Sequence, residues 1–385
     1  MIQRRKTRKV RVGDRFIGGD ATVLVQSMSN KKTKDVEGVL KQTQELKEAG
    51  CELVRVTVNT PEAVDALTAI VKGSPLPICA DVHFDYKMAL AAIKAGVHKV
   101  RINPGNIGGK EKVKLVVSAA KDRGIPIRIG VNSGSIEKRL LEKYGHPTHE
   151  AAVESALGQA RLLEKLEFHD IVISVKFSSA LNTILTYDLL SEKCDYPLHL
   201  GVTEAGTKFP GTVKSSIAFG SLLSRGIGDT IRVSLTDDPV EEVKVAFEIL
   251  KGLEIRAHGP ILISCPTCGR TEIDLIPLTK KVEEKLAEFK EPLKVAVMGC
   301  VVNGPGEAVE ADVGITGGNG VGIVFRKGKV VCKVKEEGLF NALFEEIDKI
   351  IAGKNGEKGG RFSPLTRLRS PPLRKSISMT ILAIR

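Results

Sequence analysis

The sequence has no apolar run approaching the roughly 18 residues that a membrane-spanning helix requires, so no transmembrane segment is expected. Its opening stretch, MIQRRKTRKVRVGDRF, is basic but lacks the apolar core of a secretory signal, and none is expected there. No Rossmann glycine fingerprint follows the first β-branched run, which weighs against a dinucleotide-binding open sheet. The C-x3-C-x2-C spacing of radical-SAM enzymes is absent as well. Cysteine is scarce, with seven in 385 residues. They are too scattered for a disulfide framework and favour a reducing, cytoplasmic setting with a metal or redox role. Positive charge is plentiful, at a formal net +12, but residues 354–385 carry eight basic residues against the single acid Glu357. With that tail set aside the excess is modest. A nucleic-acid-binding face is then a weak reading, and an anionic small substrate fits better.

What the chain does have is repetition. Eight short β-branched runs recur at residues 23–29, 52–58, 77–83, 98–103, 126–132, 170–176, 197–203 and 229–235, and stretches of helical spacing fill the gaps. Thr60 followed by Pro61 is a helix start, and Val64, Leu67, Ile70 and Val71 form one apolar stripe behind it. Eight strand–helix pairs predict an α/β fold, a closed (β/α)8 TIM-type barrel, ahead of an open doubly wound sheet.

In such a barrel the C-terminal strand ends converge on one mouth. Those ends carry Gln26 and Ser27, Arg55, Asp81 and His83, Arg101 and Asn103, Arg128 and Asn132, Lys176, His199 and Glu204, and Arg232 and Ser234. Taken singly, each Arg is as easily explained by a neighbouring carboxylate, and Asn103 and Asn132 by turn closure. Taken together, four arginines and Lys176 outnumber the nearby acids. A multiply charged anion, most simply a diphosphate gripped by guanidinium forks, is their natural partner.

Residues 260–352 change character to a small α+β pattern. CPTC at 265–268 and GC at 299–300 give a C-x2-C-x31-C arrangement of Cys265, Cys268 and Cys300 without a fourth cysteine nearby. A zinc knuckle would need a fourth ligand, and Cys332 lies in a strand-like run where a buried structural thiol is expected. The alternative is an iron–sulfur cluster with one non-cysteine corner. Glu307, in the loop NGPGEA, is the candidate for that corner.

VQSM, ADVHF, RINPGNIG, RIGVNSGS, TEAG, RVSLTDDP, CPTCGR and GCVVNGPGEA, in that order, closely resemble the 4-hydroxy-3-methylbut-2-en-1-yl diphosphate synthase family of isoprenoid biosynthesis in its two-domain bacterial form. The resemblance covers about residues 1–352. It implies reductive ring opening and dehydration of 2-C-methyl-D-erythritol 2,4-cyclodiphosphate, with electrons delivered through a [4Fe-4S] cluster. It implies Cys265, Cys268 and Cys300 as thiolate ligands and Glu307 as the replaceable fourth. It also implies Arg55, Arg101, Arg128, Lys176 and Arg232 as diphosphate-binding cations. Asp81, His83, Asn103, Asn132 and Ser234 become further substrate contacts, and Glu204 a carboxylate for proton handling. Ferredoxin or flavodoxin is the implied electron donor. A homodimer is implied too, the cluster domain of one subunit capping the barrel of the other.

The expected organisation is therefore a substrate-binding barrel at 1–258, a cluster domain at 259–352 and a basic tail at 353–385. The tail matches no family pattern, and its Gly, Pro, Ser and Arg content predicts disorder.

Overall fold

Each of the eight runs alternates, and the alternation decides which side chains meet. Along a strand, successive side chains point to opposite faces. In Ile127–Asn132, residues Ile127, Ile129 and Val131 belong to the apolar layer under the helices, and Arg128, Gly130 and Asn132 face the barrel interior. Leu53–Thr57 repeats the pattern, with Val54 and Val56 turned out and Arg55 turned in. Apolar residues thus glue strand to helix, and the strands are left to bring polar groups inside.

The computed structural model describes residues 2–300, 310–318 and 320–357, with the side chains of 354–357 excepted. The chain falls into two compact units, Met1–His258 and Gly259–Arg385.

The first unit begins with two short strands, β1 (Val10–Val12) and β2 (Arg15–Ile17), paired antiparallel. Then come β3 (Leu24–Met28), β4 (Leu53–Thr57), β5 (Ile78–Asp81), β6 (Lys99–Ile102), β7 (Ile127–Asn132), β8 (Ile171–Lys176), β9 (His199–Gly201) and β10 (Thr230–Arg232). These eight lie parallel in the order β8-β7-β6-β5-β4-β3-β10-β9. A bridge between Ile173 and Leu198 joins β8 to β9 and brings the ring round on itself. Helices alternate with the strands. Helix α2 (Pro61–Gly73) is capped by Thr60, whose hydroxyl accepts from the N–H of Ala63 at 3.3 Å. Helix α9 (Pro239–Gly252) is capped in the same way by Asp238, which accepts from Val240 at 2.8 Å. The expected barrel is the observed one.

The β1–β2 hairpin was not foreseen. Two three-residue strands are too short to show periodicity. Gly13, at φ +61°, makes the turn between them. Val10, Val12 and Ile17 pack with Leu24, Leu53, Cys79 and Val172 in one apolar cluster that seals the N-terminal end of the barrel. Burial of each such side chain contributes about 1.5–3 kcal/mol.

The second unit holds a mixed sheet in the order β11 (Ile261–Ser264), β12 (Lys294–Met298), β13 (Val313–Gly318), β14 (Val321–Arg326) and β15 (Lys329–Lys335). The first three strands run parallel and the last two complete an antiparallel meander. Helix α10 (Leu275–Leu286) and the closing helix α11 (Leu339–Glu357) supply Leu275, Val282, Leu286, Leu339, Leu343 and Ile347 to a core with Val295, Val297, Val313, Ile315 and Val324. Cys332, expected to be buried, is only half-buried because β15 is an edge strand. Among the described residues no helix is long and apolar enough to cross a membrane.

Candidate active site

The inward faces of β4 to β10 build a small pocket at the C-terminal end of the barrel. Arg55, Asp81, His83, Arg101, Arg128, Asn132, Lys176, Arg232 and Ser234 line it, together with Gly130, Ser174 and Thr203. Five cations therefore share one opening with a single carboxylate.

That carboxylate is Asp81. Its Oδ1 accepts from Arg101 Nη1 at 3.0 Å, and its Oδ2 lies 3.4 Å from Arg55 Nε and 3.9 Å from His83 Nε2. Burial works to raise its pKa, but Arg55 and Arg101 outweigh it and hold the carboxyl down at about 2. Asp81 keeps two guanidinium groups together but cannot neutralise the set. Arg55 otherwise donates to the thioether of Met28, at 3.2 and 2.7 Å, a weak acceptor. Arg232 pairs behind the barrel wall with Glu242 of α9 at 3.1 Å. Glu242 is the second acid the site uses, and it also receives the Ser27 hydroxyl at 3.1 Å and the N–H of Leu235 at 3.0 Å.

Arg128 and Lys176 are worse placed. Arg128 is 1% exposed, and its Nε and Nη1 have no hydrogen-bond partner among the described residues. Burial, and then the neighbouring Arg55, press its pKa down to about 9. Lys176 is driven well below the usual lysine range by burial and by Arg232 and Arg55. A buried charge costs several kcal/mol unless it is paired. The pocket is thus under an electrostatic load that an anion of two or more charges would relieve. His83, at the rim, is lowered by burial, an effect that Asp81 opposes and Arg101 and Arg55 reinforce.

Two glycines make room for this crowding. A Cβ on Gly130 would lie 2.3 Å from Arg101 Nε, and one on Gly201 would lie 2.5 Å from Lys176 Nζ. Both side chains cross the barrel through the space the missing methyl groups leave.

Not every residue named from the sequence lies in the pocket. Asn103 is buried in the turn after β6, where its side chain accepts from the N–H of Gly105 at 3.1 Å and donates to Ser135 at 3.3 Å. Glu204 is exposed, outside the pocket lining, and held at φ +52° in the loop after β9. Gln26 and His199 lie buried inside the barrel and not on the pocket lining. Ser27 faces α9. Sequence reading missed Lys99, Ser174, Thr203, Gly130, Gly201 and Glu242. The signal for Lys99 was present, since it precedes Arg101 by two residues on one strand and must share its face.

In the second unit, β11 and β12 are parallel neighbours with Ser264 paired to Val297. Cys265 and Cys300 therefore leave the same edge of the sheet. The sulfur of Cys265 accepts the N–H of Gly299 at 3.1 Å. Cys268 is exposed, and the backbone N–H of Arg270 holds its thiol below the usual value. All seven cysteines are free. Among the described residues no three His, Cys, Asp or Glu side chains converge to hold a metal ion, and Glu307 lies outside the described residues. The donor set nonetheless suits a thiolate-held cluster: three free thiols leave adjacent loops, and one of them already accepts a backbone N–H of the kind that tunes cluster sulfurs.

Both units match known protein families. Residues 7–247 match the family model of the GcpE TIM-barrel domain, and residues 261–349 match that of the GcpE protein C-terminal domain. A 4-hydroxy-3-methylbut-2-en-1-yl diphosphate synthase (flavodoxin) of Lawsonia intracellularis is 58% identical over 353 residues, spanning 91% of this chain and 98% of that protein. The protein of the same name from Clostridium perfringens is 58% identical over 91% of this chain and all of its own length. That of Geobacillus thermodenitrificans is 57% identical over 91% and 94%. The chain belongs to this synthase family. It is an oxidoreductase of isoprenoid biosynthesis, and the family resemblance read from the motifs is correct.

Proposed function

We propose that the barrel mouth binds 2-C-methyl-D-erythritol 2,4-cyclodiphosphate through Arg55, Arg101, Arg128, Lys176 and Arg232. The reaction opens the ring at a carbon–oxygen bond. Two electrons and two protons enter, one water leaves, and the diphosphate of 4-hydroxy-3-methylbut-2-en-1-yl diphosphate stays on the cations. Arg128 carries this reading, because a fully buried guanidinium with two unpartnered nitrogens asks for an anion. The other four cations share the load as charge builds on the departing oxygen. Asn132, Ser234 and His83 supply polar contacts to the carbon skeleton, and Asp81 fixes the spacing of Arg55 and Arg101. Asn103, in the turn after β6, is a further substrate contact, and Glu204 handles protons from its exposed loop.

Electron delivery belongs to a [4Fe-4S] cluster that Cys265, Cys268 and Cys300 would hold, with Glu307 as the replaceable fourth ligand. Flavodoxin, named in the relatives' activities, is the proposed donor, with ferredoxin as the alternative. The domain limits 1–258, 259–352 and 353–385, a homodimer and a cytoplasmic setting complete the proposal.

The test is iron and sulfide analysis of the anaerobically purified chain, with electron paramagnetic resonance before and after adding the cyclic diphosphate. Equal iron and sulfide, and a reduced-state signal that changes with substrate, are expected. A colourless protein with one bound zinc would overturn the cluster. Glu307→Ala should keep its affinity for the cyclic diphosphate and turn over more than about tenfold more slowly. Wild-type turnover in an anaerobic assay would remove Glu307 from the ligand set.

A further inference from the structure

Beyond the pocket lining, the barrel interior holds a further basic side chain. Lys99 shares the inward face of β6 with Arg101 and is completely buried. Its Nζ donates to Gln26 Oε1 at 3.1 Å. Among the described residues the Nε2 of that amide has no partner, so Gln26 offers Lys99 an oxygen and nothing more. The surroundings are otherwise wrong for a charge. Arg55 bears on Lys99 from β4, Arg128 from β7 and His199 from β9, and Cys79 from β5 opposes them. His199 is itself fully buried, with Nδ1 2.6 Å from Thr230 Oγ1 and Nε2 without a partner among the described residues. No carboxylate is among the groups that act on Lys99.

We propose that Lys99 is a charge-compensating residue for the anion site: largely neutral in the ligand-free barrel, it takes up a proton when a diphosphate occupies the mouth. The proposal rests on the diphosphate reading of the pocket. Arg55 and Arg128 bear on Lys99 and also line the pocket. While the mouth is empty their charges disfavour an ammonium beside them. A dianion seated on the same two side chains cancels their field, and a buried amine follows the sign of its local potential. Burial, opposed by Cys79 and reinforced by Arg128 and Arg55, brings the Lys99 pKa down to about 7, so a modest change of field changes its charge near neutral pH. By linkage, binding draws a proton from solvent, and affinity weakens as pH rises above that range. Lys99 touches no substrate in this account. It acts through Arg55 and Arg128.

The cyclic diphosphate has only strongly acidic phosphodiester groups and brings no titrating proton at neutral pH. Calorimetric titration of this ligand into the full-length, unreduced protein, in two buffers of different ionisation enthalpy, therefore counts the protons taken up by the chain. Comparing wild type with Lys99→Met subtracts the contributions of His83 and Lys176. At about pH 7.5 the variant should take up roughly half a proton fewer per ligand, and its affinity should vary less with pH. Gln26→Glu sets a carboxylate beside Lys99, keeps the lysine charged before binding, and should show the same loss. Variants that fold and bind with the wild-type proton count would overturn the proposal. Should Lys99→Met not fold, a wild-type affinity that is flat across neutral pH would overturn it equally. Absence of any binding by the wild type would instead defeat the diphosphate reading itself.

Discussion

Asp81 holds two guanidinium groups that would otherwise repel. Removing one partner from a buried charge cluster costs about 3–5 kcal/mol. Asp81→Asn should therefore lower the melting temperature markedly, with the loss read by thermal unfolding at neutral pH. The pH dependence has a fixed sign. A carboxyl held down at about 2 in the folded chain contributes stability that is fully present above its unfolded pKa, near 4, and lost as pH falls through 2. The gap between wild type and variant should narrow between those values, and a gap constant down to pH 2 would show that Asp81 is not the ionised partner of Arg55 and Arg101. At this scale the sequence displayed residue types well and partners poorly. Arg55, Arg101, Arg128, Lys176 and Arg232 were legible because arginine and lysine at strand ends demand an explanation. Glu242 was not, because only the fold brings a helix residue behind β10. Asn103, named as a substrate contact, also closes a turn, and its residue type alone does not separate the two uses.

At the level of elements, the strands do two jobs, and their alternation made both readable. Outward Val and Ile residues fixed the barrel, and the polar inward positions fixed which end is the mouth. What remained hidden was the role of the small residues. Gly130 looked like one more strand position, yet it gives Arg101 the space it occupies. Gly130→Ala would put a methyl group within 2.3 Å of Arg101 Nε, and the flexible guanidinium would yield before the strand did. The expected result is a loss of affinity for the cyclic diphosphate of at least about tenfold, since one displaced charge-assisted contact is worth about 1.5–3 kcal/mol, with little change in melting temperature. A large drop in stability at unchanged affinity would mean that the strand, not the arginine, gives way. The β1–β2 hairpin escaped notice for the opposite reason: its six strand residues are too few to carry a pattern, and their apolar positions acquire meaning only against the barrel end they cover.

For the molecule as a whole, one unit carries a cationic pocket and the other three free thiols, and it is the sequence motifs that assign both to one family. The barrel is a vessel with a floor. Val10, Val12 and Ile17 close one end with apolar packing, and the strand wall is sheathed in helices. Among the described residues of the first unit, traffic to the arginines passes through the mouth alone. On the proposed function, substrate and product both carry the diphosphate, so both would need the same cations and the same doorway. Product must leave before the next substrate enters, and the two cannot be held together. Initial-rate kinetics with added 4-hydroxy-3-methylbut-2-en-1-yl diphosphate should accordingly show purely competitive inhibition against the cyclic diphosphate. A noncompetitive pattern would require a second way in, or a second seat, for the diphosphate.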